Sequence, residues 1–219
     1  MSLIGPTVKL YGDVKLGSNL IIEDNVVIGH PSADEVKAAM CNVDEFSSLD
    51  DFYMAATKEI TIIGDNSIIR SGSIIYSGVK IGRNFDCGHH VVIREGVSLG
   101  DNVYIKSYCH LMKKVEVGSD CRLSGIIADN SRIGNQVSVF GILTHRYPKV
   151  EGIGSQQGPH IGDRCHIGRG AVILGPAEIG ENSIVGANVF VNFDVPPNSL
   201  IIGVKGHVLQ RDDLPSTPS

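Results

Sequence analysis

The chain has 219 residues, a formal net charge of −5, 42% hydrophobic residues and 20% charged residues. The length suits one domain, and this balance of apolar and charged residues excludes both a disordered chain and a membrane protein. The negative charge and the lack of a dense basic run argue against a protein that binds nucleic acid through a positive field.

The N-terminal stretch, MSLIGPTVKLYG, contains no continuous apolar segment. We therefore expect neither a signal peptide nor a membrane span at this end of the chain. The cysteines are odd in number, five, and show no Cys-x-x-Cys spacing. A reduced protein is the simplest explanation of this pattern, so we expect a cytoplasmic location.

An aliphatic residue returns at every sixth position through the middle of the chain. The run comprises Ile63, Ile69, Ile75, Ile81, Ile93, Leu99, Ile105, Leu111, Val117 and Leu123, with Cys87 at the one intervening place. A helix repeats every 3.6 residues and a simple strand every 2, so neither accounts for this period. A hexapeptide period indicates an all-β fold, the parallel β-helix.

Turn-forming residues follow many of these aliphatic positions, as in Gly64-Asp65-Asn66 and Gly100-Asp101-Asn102. Glycine, asparagine and aspartate tolerate the backbone of a corner, so each hexad is predicted to be a short strand followed by a corner. Three hexads close one coil. The period begins at Ile4 and ends at Val191, which predicts about eight coils stacked at the spacing of neighbouring strands.

The period is interrupted twice, at about 30–61 and at about 145–160. We interpret both interruptions as excursion loops, which on a regular scaffold are usually functional. Ser47 or Ser48 is suited to cap a short helix in the first one, and the apolar side of that helix comprises Leu49, Phe52, Tyr53 and Ala56. One domain is expected over 1–211, followed by a flexible tail at 212–219.

Nearly the whole chain resembles the left-handed β-helix acyltransferases of the hexapeptide-repeat class. Residues 139–207 are similar in order and spacing to the C-terminal half of galactoside, maltose and xenobiotic O-acetyltransferases. Residues 68–95 resemble acetyltransferases that act on nucleotide-linked amino sugars. The resemblance implies a left-handed homotrimer, a sugar or nucleotide-sugar acceptor, and acetyl-CoA bound in the groove between neighbouring columns.

Acetyl transfer needs a base for the attacking hydroxyl or amine, and histidine suits this role because its pKa lies near neutrality. His145 stands where the column breaks into the second loop, before Arg146-Tyr147-Pro148. The resembling O-acetyltransferases carry their catalytic histidine there, so His145 is predicted to be the general base and Tyr147 to bind substrate. Relatives that act on nucleotide-linked amino sugars often have asparagine instead, which leaves a merely hydrogen-bonding loop histidine as the alternative.

His89 and His90 fall at an outward-facing corner and are followed by Arg94-Glu95. We predict His90 as a second candidate base and His89 and Glu95 as substrate-binding residues. Hexad counting places His90 on the face of His145 but three coils away, about 14 Å, so one side chain cannot serve both places. Two solvated corner histidines are an equally simple alternative.

The resemblance assigns the acyl donor to small residues and backbone groups of the C-terminal coils. Compared position by position with the resembling enzymes, Arg169 and Ala187 are predicted to bind the donor. Asn192, close before a turn with the sequence Asp-Val-Pro-Pro, is predicted to bind it as well. The phosphates of CoA are then predicted to bind Lys205 or Arg211.

The chain lacks the tight His-x4-His pair of zinc sites in this fold, because His160 and His166 are six apart and belong to different faces. We expect no metal. A non-catalytic β-helix that acts as an assembly scaffold remains the main alternative to an acetyltransferase, and a metal enzyme resembling γ-carbonic anhydrase is less favoured.

Overall fold

The computed structural model describes residues 2–145 and 157–203, which form a three-sided column of short parallel strands and one helical excursion. In chain order the elements are β1 (Leu3–Ile4), β2 (Lys9–Leu10), β3 (Val14–Leu16), β4 (Ile21–Ile22), β5 (Val27–His30), α1 (Ala33–Ala39), a 3₁₀ helix (Met40–Glu45), α2 (Leu49–Ala56), β6 (Thr61–Ile63), β7 (Ile68–Ile69), β8 (Ile74–Tyr76), β9 (Lys80–Ile81), β10 (Asp86–Cys87), β11 (Val92–Ile93), β12 (Ser98–Leu99), β13 (Tyr104–Ile105), β14 (His110–Leu111), β15 (Glu116–Val117), β16 (Arg122–Leu123), β17 (Ile126–Ile127), β18 (Arg132–Ile133), β19 (Ser138–Val139), β20 (Ile142–His145), β21 (His160–Ile161), β22 (His166–Ile167), β23 (Val172–Gly175), β24 (Glu178–Ile179), β25 (Ile184–Val185), β26 (Phe190–Val191) and β27 (Leu200–Ile201).

Every third strand lies on the same face of the column. Face A holds β1, β4, β7, β10, β13, β16, β19, β22, β25 and β27; face B holds β2, β5, β8, β11, β14, β17, β20, β23 and β26; face C holds β3, β6, β9, β12, β15, β18, β21 and β24. The column therefore has about nine coils rather than the predicted eight, a height of roughly 43 Å at the strand spacing. The difference arises because β20 and β27 continue the period at places that the aliphatic count omitted.

Two side chains of each hexad point into the column. The predicted aliphatic positions are buried, with Ile93 and Leu111 both 0% exposed. A second inward position lies two residues earlier and takes smaller side chains, such as Val91 and Ser67. The hydroxyl of Ser67 donates to the carbonyl of Gly64 at 2.8 Å, so this buried polar group is satisfied. The core is thus a continuous stack of small aliphatic side chains, as the period predicted.

The first coil is the open end of this stack. Ile4 and Leu10 occupy predicted inward positions but are 47% and 36% exposed. One coil further on, Ile22 and Ile28 are 1% and 0% exposed. The predicted positions are correct, and the exposure arises because within the described chain no coil lies above the first one.

Asparagine side chains stack at the corner between faces C and A. Asn66, Asn84 and Asn102 have left-handed backbone, with φ of 58°, 56° and 58°. Their side-chain amides are joined by hydrogen bonds of 3.2 and 2.8 Å. Asparagine tolerates this backbone better than most residues, and here it also links successive coils.

The first excursion is helical. Ser48 caps α2 by accepting a hydrogen bond from the backbone N–H of Asp51, which confirms the predicted short helix, and Phe52 and Ala56 are its buried residues. The helix α1 was not among the elements predicted from the sequence. Its signal was present, because Ser32 and Glu35 form a reciprocal capping box at its start.

Both excursions leave the column at the corner between faces B and C, here called the B–C corner. The first lies between β5 and β6, and the second lies between β20 and β21. On face B their starting strands are five strands apart, about 24 Å. The stretch of corner between them is therefore bracketed by two loops, which makes it the natural place to look for a site.

The helices among residues 2–145 and 157–203 are all too short or too polar to cross a membrane. The five cysteines are free thiols, and four of them are buried. Burial raises the pKa of Cys87 to about 11 and that of Cys109 to about 12. These two thiols are therefore protonated and unreactive in the core at neutral pH.

Candidate active site

Four polar residues occupy the same place in four successive coils of the B–C corner. Glu95, Lys113, Asp129 and His145 each lie two positions beyond the register-paired inward residue of their strand, in β11, β14, β17 and β20. We call this row the corner ladder. It runs between the two excursions and ends at His145, the histidine predicted to be the base.

The imidazole of His145 lies against the carboxylate of Asp129. The distance from Nε2 to Oδ2 is 3.4 Å, and both side chains are only 12% exposed. The other oxygen of Asp129, Oδ1, accepts a hydrogen bond from the backbone N–H of Lys113 at 3.0 Å. The carboxylate is thus fixed on one side and holds the imidazole on the other, the arrangement that orients a histidine base.

The second excursion returns to the column beside this pair. The N–H of Gly158 donates to the backbone carbonyl of Asp129 at 3.0 Å. On the coil beyond His145, a Cβ added to Gly175 would lie 2.4 Å from the carbonyl oxygen of Gln157. Only glycine permits this approach. The returning chain therefore packs on both sides of the coil that carries His145.

The other end of the ladder is a charge cluster. The carboxylate of Glu95 accepts from Arg94 Nε at 2.8 Å and lies 2.9 Å from Lys113 Nζ. Burial alone would raise the pKa of Glu95, but these donors outweigh it and hold the pKa below its usual value. Arg94 in turn lies over the ring of Tyr76, with 4.7 Å between the guanidinium carbon and the ring centroid. Glu95 is thus tied to cations of the chain itself.

Aromatic contacts continue from this cluster to the helical excursion. The rings of Tyr76 and His30 have centroids 4.9 Å apart, and His30 is 5.0 Å from Tyr53 of α2. A continuous series of contacts therefore runs along face B from the first excursion to Asp129 and His145.

His89 and His90 lie elsewhere, at the corner between faces A and B. His90 has a left-handed backbone, φ 55°, and stacks on Tyr108 with ring centroids 5.3 Å apart. His89 Nδ1 is 2.9 Å from Ser71 Oγ and 3.7 Å from a carboxylate oxygen of Glu23. The structure places this pair at the opposite edge of face B from His145, three coils away. Within one chain, the two histidine groups are too far apart to act on one atom.

The predicted donor residues fall into two groups. Arg169 and Ala187 are exposed neighbours in successive coils of the corner between faces A and B, where the N–H of Asn188 donates to the Arg169 carbonyl at 3.0 Å. Asn192 lies at the other edge of face B and lines, with Phe193 and Pro176, a cavity of about 570 Å³. Tyr147, Lys205, Arg211 and the predicted tail at 212–219 lie outside the described residues.

Asp129 and Lys113 are not among the residues predicted from the sequence. Their signal was positional, because Glu95 and Lys113 are three hexads apart and Asp129 precedes His145 by one shortened coil. Two four-residue steps shorten this part of the column: Leu123 to Ile127 lies between Lys113 and Asp129, and Val139 to Leu143 lies between Asp129 and His145. Stacking the hexads with both steps included would have aligned all four residues.

No cluster of three or more histidine, cysteine, aspartate or glutamate residues is arranged to hold a metal ion within 2–145 and 157–203. The site as described consists of the Asp129–His145 pair, the charge cluster and two loop ends.

Comparison with known proteins gives two family matches. The family model described as "Bacterial transferase hexapeptide (six repeats)" matches residues 158–192, and "Hexapeptide repeat of succinyl-transferase" matches residues 60–88. Among solved structures, the UDP-N-acetylglucosamine acyltransferase of Campylobacter jejuni superimposes with a TM-score of 0.66 at 16% identity, over 90% of this chain and 70% of that one. The likeness confirms the predicted left-handed parallel β-helix.

Curated relatives cover different parts of the chain. The serine acetyltransferase of Mycobacterium tuberculosis is 36% identical over 94 residues, which are 42% of this chain and 40% of the relative. The bifunctional protein GlmU of Geotalea uraniireducens is 27% identical over 201 residues, which are 91% of this chain and 36% of the relative. The chain therefore spans well under half the length of the curated relatives that it matches.

Proposed function

Because the chain belongs to the left-handed β-helix acyltransferases of the hexapeptide-repeat class, we propose that it transfers an acetyl group from acetyl-CoA to a hydroxyl or amine of a sugar or nucleotide-linked sugar. The observation that carries the proposal is the contact between His145 and Asp129 at the mouth of the second excursion. Without such a pair, a repeat column of this kind serves equally well as a scaffold.

His145 is the general base of the proposed reaction. Nε2 of the ring faces Asp129, and we assign Nδ1 as the nitrogen that takes the proton of the attacking acceptor group. Asp129 favours the imidazolium that then forms and keeps the ring from turning away. The low exposure of both side chains suits this arrangement, because the electrostatic interaction between the carboxylate and the imidazolium is stronger where water is scarce.

Acetyl-CoA supplies a thioester carbonyl that the deprotonated acceptor attacks, and the thiol of CoA leaves. The residues present fit such a donor in part. Arg169 and Ala187 border one edge of face B on successive coils, and the small side chain of Ala187 leaves the backbone beside it open to an extended arm. Asn192 and its cavity lie on the edge that carries His145.

The choice of a sugar acceptor rests on likeness. One solved structure that superimposes well is named for UDP-N-acetylglucosamine, whereas one relative with a higher sequence identity is named for serine. Coverage favours the first, because it extends over 90% of this chain. Whether oxygen or nitrogen is acylated is left open by His145, which can serve either.

A homotrimer is part of the proposal. The outward side of face B carries exposed apolar residues, with Ile126 at 49%, Ile142 at 39% and Phe190 at 56%. Contiguous apolar surface of this kind is typical of a subunit interface. Light scattering should give three times the mass of one chain, and Ile142→Glu should lower that mass; a monomer with the native sequence would contradict the trimer.

The function is tested by the release of thiol from acetyl-CoA in the presence of glucosamine, methyl glucosides, UDP-linked amino sugars and, as a contrast, L-serine. We expect one of the sugar classes to be acetylated and His145→Ala to lower kcat by about 10²–10⁴-fold. His166→Ala, an exposed histidine of face A, is the matched control and should retain full activity. Acetylation of no acceptor would favour the scaffold alternative, and preference for serine would overturn the sugar assignment.

A further inference from the structure

His110 has a ring nitrogen that the fold leaves unsatisfied. It occupies an outward position of β14 on face B, between Val92 and Ile126 in the strand register. Its Nε2 is buried and has no hydrogen-bond partner among residues 2–145 and 157–203. Buried polar atoms are nearly always paired, because an unpaired one reduces stability. A residue that lowers the stability of the fold in this way, and has no hydrogen bond to offset the loss, is a candidate for a functional role.

The charged groups near His110 are already engaged. Arg94, on the preceding coil, donates to Glu95 at 2.8 Å. Asp129, on the following coil, is held by Lys113 and faces His145. Burial, and then the charge of Arg94, lower the pKa of His110. The imidazole is therefore neutral at neutral pH, and its Nε2 can donate or accept a hydrogen bond according to the tautomer.

We propose that His110 is a specificity-determining residue whose Nε2 hydrogen-bonds the acceptor while His145 takes the proton. This inference rests on the proposed function and concerns the same site. β14 and β20 are two strands apart on face B, about 10 Å, and the ring of His145 reaches back towards Asp129 on the coil between them. His145 also lies three positions further along its strand than the residue in line with His110, about another 10 Å, so the two backbones are about 14 Å apart. The two side chains shorten this separation to one that a hexose ring with its hydroxyl groups spans.

The inference specifies the acceptor further. It must carry a second polar group on the side of its ring opposite to the reacting hydroxyl or amine. A sugar meets this condition. A small amino acid such as serine does not, since its polar groups all lie within a chain of three carbon atoms.

The test uses His110→Leu, which keeps the apolar packing between Val92 and Ile126 but removes the ring nitrogen. We expect the melting temperature to stay unchanged or to rise, because the unsatisfied atom is gone. We expect KM for the sugar acceptor to rise 10-fold or more, with KM for acetyl-CoA within 2-fold of the native value. His110→Gln, which restores a hydrogen-bonding group, should recover part of the acceptor affinity.

The matched control is His166→Leu, the same substitution at the same hexad place on face A, which should alter neither KM. A lower melting temperature for His110→Leu would show a structural role and overturn the inference, as would an acceptor KM within 2-fold of the native value. Native protein and His145→Ala are measured in the same assay. Absence of turnover by the native protein would defeat the proposed function and this inference together, whereas native turnover with a normal His110→Leu would defeat this inference alone.

Discussion

In the proposed reaction, Asp129 acts through His145. Its carboxylate is held by the N–H of Lys113 and turned towards the imidazole. Asp129→Asn keeps the shape but removes the charge that favours the imidazolium. We expect kcat to fall by about 10²-fold or more, with KM for acetyl-CoA unchanged, in the thiol-release assay. Asp163→Asn, a carboxylate on the corner between faces C and A, is the control; equal losses in both variants would argue against a role specific to Asp129.

At this scale the sequence predicts some residues better than others. His145 was selected because its setting resembles a family motif, and its role as the base stays a prediction. Asp129 was not selected, because the shortened coil hides its alignment with His145. His90 and His145 were expected on one face, and they do border face B, but at opposite edges. Hexad counting assigns a face and a coil. It does not show which side chains converge across a corner, and the assigned roles of His90, His89 and Glu95 stay predictions.

Two neighbouring isoleucines of β6 allow the contributions of an inward and an outward side chain to stability to be compared. Ile63 points inward and is 1% exposed, whereas Ile62 points outward and is 37% exposed. Ile63→Ala should reduce the free energy of unfolding by about 2–5 kcal/mol, because it leaves a cavity in a close-packed stack. Ile62→Ala should cost less than about 1 kcal/mol. Denaturant unfolding of both variants checks this, and similar losses would contradict the assigned register.

The first excursion is fastened to the column by Glu35. Its carboxylate accepts from Ser77 Oγ at 2.6 Å and from the backbone N–H groups of Lys58 and Ser32 at 2.8 and 2.7 Å. Burial alone would raise its pKa, but these hydrogen bonds outweigh burial and lower the pKa below the usual value. The folded state therefore binds fewer protons at this group than the unfolded state, so its contribution to stability rises with pH.

Glu35→Gln should lower the melting temperature above about pH 4.5, the ordinary range of a glutamate pKa. The difference from native protein should shrink as pH falls further, because the native carboxyl is then protonated as well. Melting curves between pH 3 and 7 test this. Glu45→Gln, an exposed carboxylate of the same excursion, is the control and should have little effect at any pH; a difference that persists undiminished at pH 3 would contradict the account.

The strands and α2 could be predicted from the sequence, whereas α1 was not. The six-residue period located the inward side chains of nearly every strand, because burial repeats from coil to coil beyond the exposed first coil. α2 followed from a serine cap and one apolar side. α1 was missed because its apolar side is weak and it has no buried residue; only its capping box revealed it.

At the scale of the whole molecule, the decisive feature is that both excursions leave at the B–C corner. The sequence shows two interruptions but not that they share a corner, because this depends on the number of hexads between them, including the four-residue steps after Leu123 and after Val139. The shared corner gathers the corner ladder, His110 and the ends of both loops on one side of the column. A single site between the loops is the simplest function for that arrangement.

The most direct test of this account is a crystal structure of the protein with coenzyme A and the acceptor selected by the assay. The account predicts that the reacting hydroxyl or amine lies within hydrogen-bond reach of a ring nitrogen of His145, about 2.6–3.2 Å, with Asp129 on the other side of the ring. An acceptor bound at His89 and His90, or on face C with His145 out of reach, would contradict it.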